Sequence, residues 1–172
     1  FTSLSENLEP QEVVEILNEY LNLTTHAIFK NGGTLDKFIG DATMAVFNAP
    51  FDLDDYIYRA VCTARDIVAG AQDLEDRMEK RFHKKVNFGI GISCGPAVVG
   101  NVGCDFRMDY TAIGDTVNTA SRLEGKAMAS EILISEQVYE ALKDRIRVTE
   151  KGMIPLKGKA KEICVYSVEE VL

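Results

Sequence analysis

Thr34-Leu35-Asp36-Lys37-Phe38-Ile39-Gly40-Asp41-Ala42-Thr43-Met44-Ala45-Val46-Phe47 is a pair of short β-type runs on either side of a Gly-Asp dipeptide. Such runs around a two-residue glycine turn signal a β-hairpin. Upstream of it, Val13, Val14, Ile16, Leu17, Tyr20, Leu21, Leu23, Ala27 and Ile28 recur mostly at helical spacings. Pro10 suits a first turn and Asn31-Gly32-Gly33 a stop, so the pattern predicts a long helix over Gln11 to Lys30 that feeds the hairpin.

Downstream, Asn48-Ala49-Pro50 closes the hairpin and Asp52-Leu53-Asp54-Asp55 leads into a second helix from Tyr56 to Met78. Its inward stripe holds Ala60, Val61, Ala64, Ile67, Val68 and Leu74. Lys85 to Ser93 reads as a strand with Phe88, Ile90 and Ile92 on one side and Gly89 and Gly91 opposite, where either backbone or a ligand approaches closely. Gly95 to Gly103 reads as a glycine-rich return before a strand near Arg107 to Ala112. Then come a helix from Asp115 to Lys126, a strand over Glu131 to Ile134, and a helix capped by Ser135 that ends near Leu142. Arg145 to Val168 carries β-type runs around Lys157-Gly158-Lys159-Ala160-Lys161. This irregular order, with hairpins as well as crossovers, predicts an α+β fold on a mixed sheet with helices mainly on one face. No linker interrupts it, so residues 1–172 read as a single domain.

The 172 residues are 46 % hydrophobic, enough for an ordinary globular core without disulfides or a structural metal. A formal charge of −8, from 27 acidic and 19 basic residues, leaves no broad cationic face, which argues against nucleic acid or an anionic membrane as the main partner. Cys62, Cys94, Cys104 and Cys164 show no C-x-x-C spacing and fit a reducing, cytoplasmic setting. No apolar run has the length of a spanning helix, and a start at Phe1 suggests preceding sequence, with sensory or membrane segments upstream as an option.

Several side chains stand out chemically. Asp41 sits at the hairpin tip, where a carboxylate either supports the bend or reaches a ligand. Strand alternation puts Lys37 and Ile39 on one face, Asp36 and Phe38 on the other. Asn118 and Arg122, four apart, share one face of their helix, whose small residues Thr116, Thr119 and Ala120 point to close packing. A guanidinium there offers a rigid fork of donors to phosphate oxygens, although a solvated pair reads equally from spacing alone. Lys157 is either a basic loop residue or a phosphate contact, and Arg107 is another cation able to face a triphosphate. His26 and His83 are far apart and read as a helix-face residue and part of a solvated connector.

Taken together, Phe1-Thr2-Ser3-Leu4-Ser5-Glu6, Asp36-Lys37-Phe38-Ile39-Gly40-Asp41, Gly89-Ile90-Gly91-Ile92, the block from Tyr110 to Leu123 and Leu156-Lys157-Gly158-Lys159 resemble the class III adenylate/guanylate cyclase catalytic domain. The blocks occur in the family's order and span the chain nearly end to end. The resemblance implies a ferredoxin-like βαββαβ core with extra strands, and a head-to-tail homodimer with two active sites in the cleft between subunits. Asp41 matches the second of two metal-binding aspartates, which hold two Mg²⁺ or Mn²⁺ ions per active site. Lys37 and Thr111 match the base-reading pair, Asn118 the ribose-orienting residue, Arg122 the residue that stabilises the α-phosphate, and Lys157 the contact to the outer phosphates. Arg107 matches a phosphate-binding position. The family's first metal aspartate would fall four residues before Phe1.

Lys with Thr resembles the adenine-selective arrangement, whereas guanylate cyclases place Glu and a small residue at these positions. Adenine offers an amine donor and a ring-nitrogen acceptor, which suit a hydroxyl acceptor and an ammonium donor. The implied reaction is attack of the ribose 3′-oxygen of ATP on the α-phosphorus, giving cyclic AMP and pyrophosphate. A guanylate cyclase and a catalytically silent nucleotide-binding or dimerisation domain are the alternatives. Bicarbonate responsiveness is compatible with Thr111, and the sequence names no regulator.

Overall fold

The computed structural model describes residues 6, 8–83, 87–155 and 161–172. Four helices and eight strands lie along them: α1 (Pro10–Lys30), β1 (Thr34–Ile39), β2 (Ala42–Val46), α2 (Tyr56–Phe82), β3 (Ile90–Ile92), β4 (Val98–Cys104), β5 (Arg107–Ile113), α3 (Asp115–Lys126), β6 (Ile132–Ser135), α4 (Glu136–Leu142), β7 (Ile146–Ile154) and β8 (Ile163–Val171). The architecture is α+β with a mixed sheet and helices mostly on one face, as expected from the sequence. In the order β3-β6-β8-β7, β3 runs parallel to β6 and the remaining neighbours are antiparallel. The other strands form two separate antiparallel pairs, β1 with β2 and β4 with β5.

α1 starts where Pro10 can occupy the first turn without a lost hydrogen bond, and the Glu12 carboxylate accepts the Glu9 N–H at 3.1 Å. It packs along α2 through Ile16, Tyr20, Ala71, Leu74 and Met78, all buried. α2 runs one turn beyond the expected Met78, because its apolar spacing continues through Phe82.

The central strand β6 is buried on both faces. Ile132 and Ile134 join Val61 and Ala64 of α2 and Val138 and Leu142 of α4, while Leu133 joins Leu123 of α3 and Val165 of β8. Alternation along β6 therefore sends α2 and α4 to one face and α3 to the other. Gly91 pairs with Leu133 and lies on the α3 side. A Cβ there would collide with the backbone of Ala120 and Glu124, so the glycine admits a helix rather than a ligand.

Three local expectations change. Gly95 to Gly103 is largely strand: Val98–Cys104 pairs residue by residue with Arg107–Ile113, because the valines between the glycines supply β-type side chains. The expected strand Lys85 to Ser93 is Ile90–Ile92 within the described residues. Ser135 ends β6 and occupies the N-cap of α4, yet its buried hydroxyl makes no capping hydrogen bond. Among the described residues, no helix is long and apolar enough to cross a membrane.

Candidate active site

The β1–β2 hairpin forms at the expected place. Ile39 pairs with Ala42 across a two-residue turn in which Gly40 adopts φ +62°, a conformation that costs glycine little. Asp41 follows it at the tip and is exposed.

Earlier on β1, the register slips. Leu35 pairs with Ala45 but Lys37 pairs with Met44, which leaves Asp36 as an extra residue in the strand. Such a bulge re-aims side chains, and here it corrects the simple alternation read from sequence. Asp36 and Lys37 do not point to opposite faces: Lys37 Nζ lies 3.8 Å from Asp36 Oδ1.

Asp36 is the centre of a small polar cluster, and its side chain is only 2 % exposed. The Thr111 hydroxyl donates to Asp36 Oδ2 at 2.8 Å, and the Ala112 N–H donates to the same oxygen at 3.3 Å. These contacts tie β1 to β5. They bring Lys37 and Thr111, separated by 74 positions in sequence (111 − 37), to one carboxylate. Lys37 is 40 % exposed along its side chain, so its ammonium stands at the mouth of the cluster while Thr111 lies buried beneath. Asp36 was not among the expected site residues. Its position next to Lys37 was the available sign, masked by the assumption of regular pleating.

α3 presents Asn118, exposed, and Arg122, half-buried, on one face. The neighbouring stripe of the helix carries Thr119 and Leu123 into the core. Asp41, Asn118, Arg122 and Arg107 have no side-chain hydrogen bond or ion pair among the described residues. Near the end of α3, burial raises the pKa of the Glu124 carboxyl above its usual value, and the Asp41 charge raises it further. The Glu124 carboxyl thus lies close enough to Asp41 to feel its charge, and carboxylate oxygens are the ligand type that hard cations take. No group of three or more His, Cys, Asp or Glu that could hold a metal forms among the described residues.

Arg107 begins β5, four residues from Thr111, which at about 3.3 Å per residue places it roughly 13 Å along the strand. One protomer does not bring it to the Lys37–Thr111 cluster. Lys157, with its Leu156-Lys157-Gly158-Lys159 block, lies outside the described residues, as does Phe1 to Ser5. His26 is exposed on α1, and His83 ends α2 with φ +56°.

Residues 1–170 match the family model described as "Adenylate and Guanylate cyclase catalytic domain". The chain belongs to the adenylate and guanylate cyclase catalytic-domain family. An adenylate cyclase of Anabaena cylindrica is 37 % identical to this cyclase domain over 98 % of the chain and 34 % of its own length. The solved adenylyl cyclase CyaB from P. aeruginosa superposes with a TM-score of 0.90 at 36 % identity, covering 99 % of this chain and 89 % of that one. The guanylyl cyclase Cya2 does so with a TM-score of 0.91 at 34 % identity, covering 99 % and 87 %. The cyclase domain spans about a third or less of the length of the curated relatives it matches. Backbone likeness extends equally to structures named for either purine, so specificity must be sought in side chains.

Proposed function

We propose that this domain is an adenylate cyclase that converts ATP to 3′,5′-cyclic AMP and pyrophosphate, working as one cytoplasmic catalytic domain in a homodimer with two shared sites. The observation that carries the reading is the convergence of Lys37 and Thr111 on Asp36. An ammonium and a hydroxyl side by side complement the ring-nitrogen acceptor and amine donor on adenine's edge. Guanine presents a carbonyl acceptor and a ring N–H donor at the corresponding positions. A mismatched buried polar group costs more than a matched one returns, so such a pair works mainly by exclusion.

The remaining roles follow from the same family pattern. Asn118 would orient the ribose so that its 3′-oxygen faces the α-phosphorus. Arg122 would place guanidinium donors on the α-phosphate oxygens as charge grows there, an interaction that lowers the barrier more than it tightens binding. Lys157 and Arg107 would hold the outer phosphates as pyrophosphate departs. Asp41, an exposed carboxylate at the hairpin tip, has the chemistry to help hold Mg²⁺ or Mn²⁺. When bound, such ions, two per site by the family pattern, would neutralise the triphosphate and acidify the attacking hydroxyl.

Two features support a site completed by a second copy. Asp41, Asn118, Arg122 and Arg107 lack side-chain hydrogen bonds and ion pairs among the described residues. The β4–β5 hairpin also exposes apolar side chains suited to another subunit, Val98 and Val102 on one face, Met108 and Tyr110 on the other, and Phe106 at the tip. The guanylate cyclase reading keeps this architecture and differs only at the base. The test is product analysis of the intact protein with ATP and GTP in parallel, with Mg²⁺ or Mn²⁺. Cyclic AMP should dominate, and a preference for cyclic GMP sinks the ATP reading. For the shared site, an Asp41→Ala chain mixed with an Arg122→Ala chain should regain activity that neither has alone. Demonstrated heterodimers without activity would refute it.

A further inference from the structure

We infer that Asp36 is a specificity-determining positioning residue: by taking the Thr111 hydroxyl proton, it leaves that hydroxyl able only to accept a hydrogen bond from the base. The inference rests on the ATP reading above and concerns how the site enforces it.

A threonine hydroxyl is ordinarily ambiguous, because its single proton can rotate to donate while its lone pairs accept. An unconstrained Thr111 could therefore satisfy either the amine of adenine or the carbonyl of guanine. The geometry removes that freedom. Asp36 Oδ2 accepts the Ala112 N–H, a group that can only donate, so this oxygen acts as an acceptor. The same oxygen lies 2.8 Å from Thr111 Oγ1, and the shared hydrogen must come from the threonine. Oγ1 then offers only lone pairs to anything else that approaches.

The carboxylate is held in place for this task. Its side chain is nearly sealed from solvent, and the β1 bulge directs it toward β5. Its second oxygen, Oδ1, is buried without a hydrogen-bond partner among the described residues and has the Lys37 ammonium 3.8 Å away, too far for a hydrogen bond but close enough to offset its charge. Asp36 thus fixes the polarity of one base reader and anchors the other. An acceptor brought up to Thr111 meets lone pairs against lone pairs.

The test separates polarity at this one position from everything else about the base. N6-methyl-ATP and the triphosphate of 6-methoxypurine riboside match in size and both keep the ring-nitrogen acceptor, but the first presents a donor and the second only an acceptor. The intact protein should favour N6-methyl-ATP by about tenfold or more in kcat/KM, with the same order in Kd for the 3′-deoxy forms. Asp36→Ala removes the acceptor and frees the hydroxyl proton to rotate, so it should bring that ratio to within about threefold of unity. In a Thr111→Val background, Asp36→Ala should leave the ratio unchanged within about twofold. Equal use of the two analogues by the wild-type protein overturns the inference without requiring any variant to fold. So does a folded Asp36→Ala protein that loses activity equally on both. A wild-type preference for GTP over ATP would instead remove the reading on which the inference rests.

Discussion

The four-stranded sheet and the β4–β5 hairpin are built from similar β-type residues but treat them in opposite ways. In the sheet, Ile132, Leu133, Ile134 and Val165 are all buried and packed between α2 and α4 on one side and α3 on the other. In the hairpin, Val98, Phe106, Met108 and Tyr110 face solvent, and Phe106 is 99 % exposed. Charged groups follow the same division. Arg145 closes the sheet end with two hydrogen bonds to Asp55, 2.8 and 2.9 Å, and lies over the Tyr58 ring at 3.6 Å. Arg107, which begins the second strand of the hairpin, has no comparable partner among the described residues. The contrast teaches that one region has spent its chemistry on its own stability, while the other holds it available for a second molecule.

The largest effect should come from opening the closed region. Ile134→Ala removes a fully buried side chain from the strand that both helix layers share. It should lower the unfolding free energy by about 2–5 kcal/mol in urea titrations. A loss below about 1 kcal/mol would mean that the sheet is not the stabilising core.

A smaller effect of another kind should come from the hairpin. Phe106→Ser combined with Met108→Ser should leave protomer stability within about 0.5 kcal/mol, since those side chains bury little at home. It should weaken the proposed homodimer by about tenfold or more in sedimentation equilibrium, as truncation of interface anchors does. Intact association would break the comparison by showing that the exposed residues serve no partner.

The smallest effect is expected at the exposed Asp55–Arg145 pair. Hydrogen bonding from Arg145 holds the Asp55 carboxyl below its usual value, against an opposing push from burial and with help from the Arg145 and Arg59 charges. A depressed folded-state pKa adds stability above the unfolded-state value and loses it as pH falls through the folded-state value. Asp55→Asn should therefore melt slightly earlier than wild type at neutral pH, with the two melting temperatures converging in acid. A gap that widens on acidification would contradict the assignment.

The helices, the Gly40-Asp41 turn and the cyclase motifs were legible in the sequence because each depends on short-range spacing. Apolar periodicity over Val13 to Ile28 suffices for a helix, and a Gly-Asp pair between β-type runs suffices for a hairpin. The glycine at position 91 announced a close approach, but spacing could not say that the approaching group is the α3 backbone. The β4 strand was obscured by its glycines, since its pairing with β5 supplies what local propensity lacks.

Around the base-reading residues the division is sharpest. Sequence alone determined that the chain carries Lys37, Asp41, Thr111, Asn118 and Arg122 in the order and spacing of a cyclase. Tertiary structure decided that Lys37 and Thr111 meet through Asp36. That meeting needs a one-residue bulge in β1 and a contact between residues 36 and 111, and neither is fixed by any local pattern. A side chain's identity is written at one position, whereas the direction of its hydroxyl proton depends on which carboxylate the fold brings beside it.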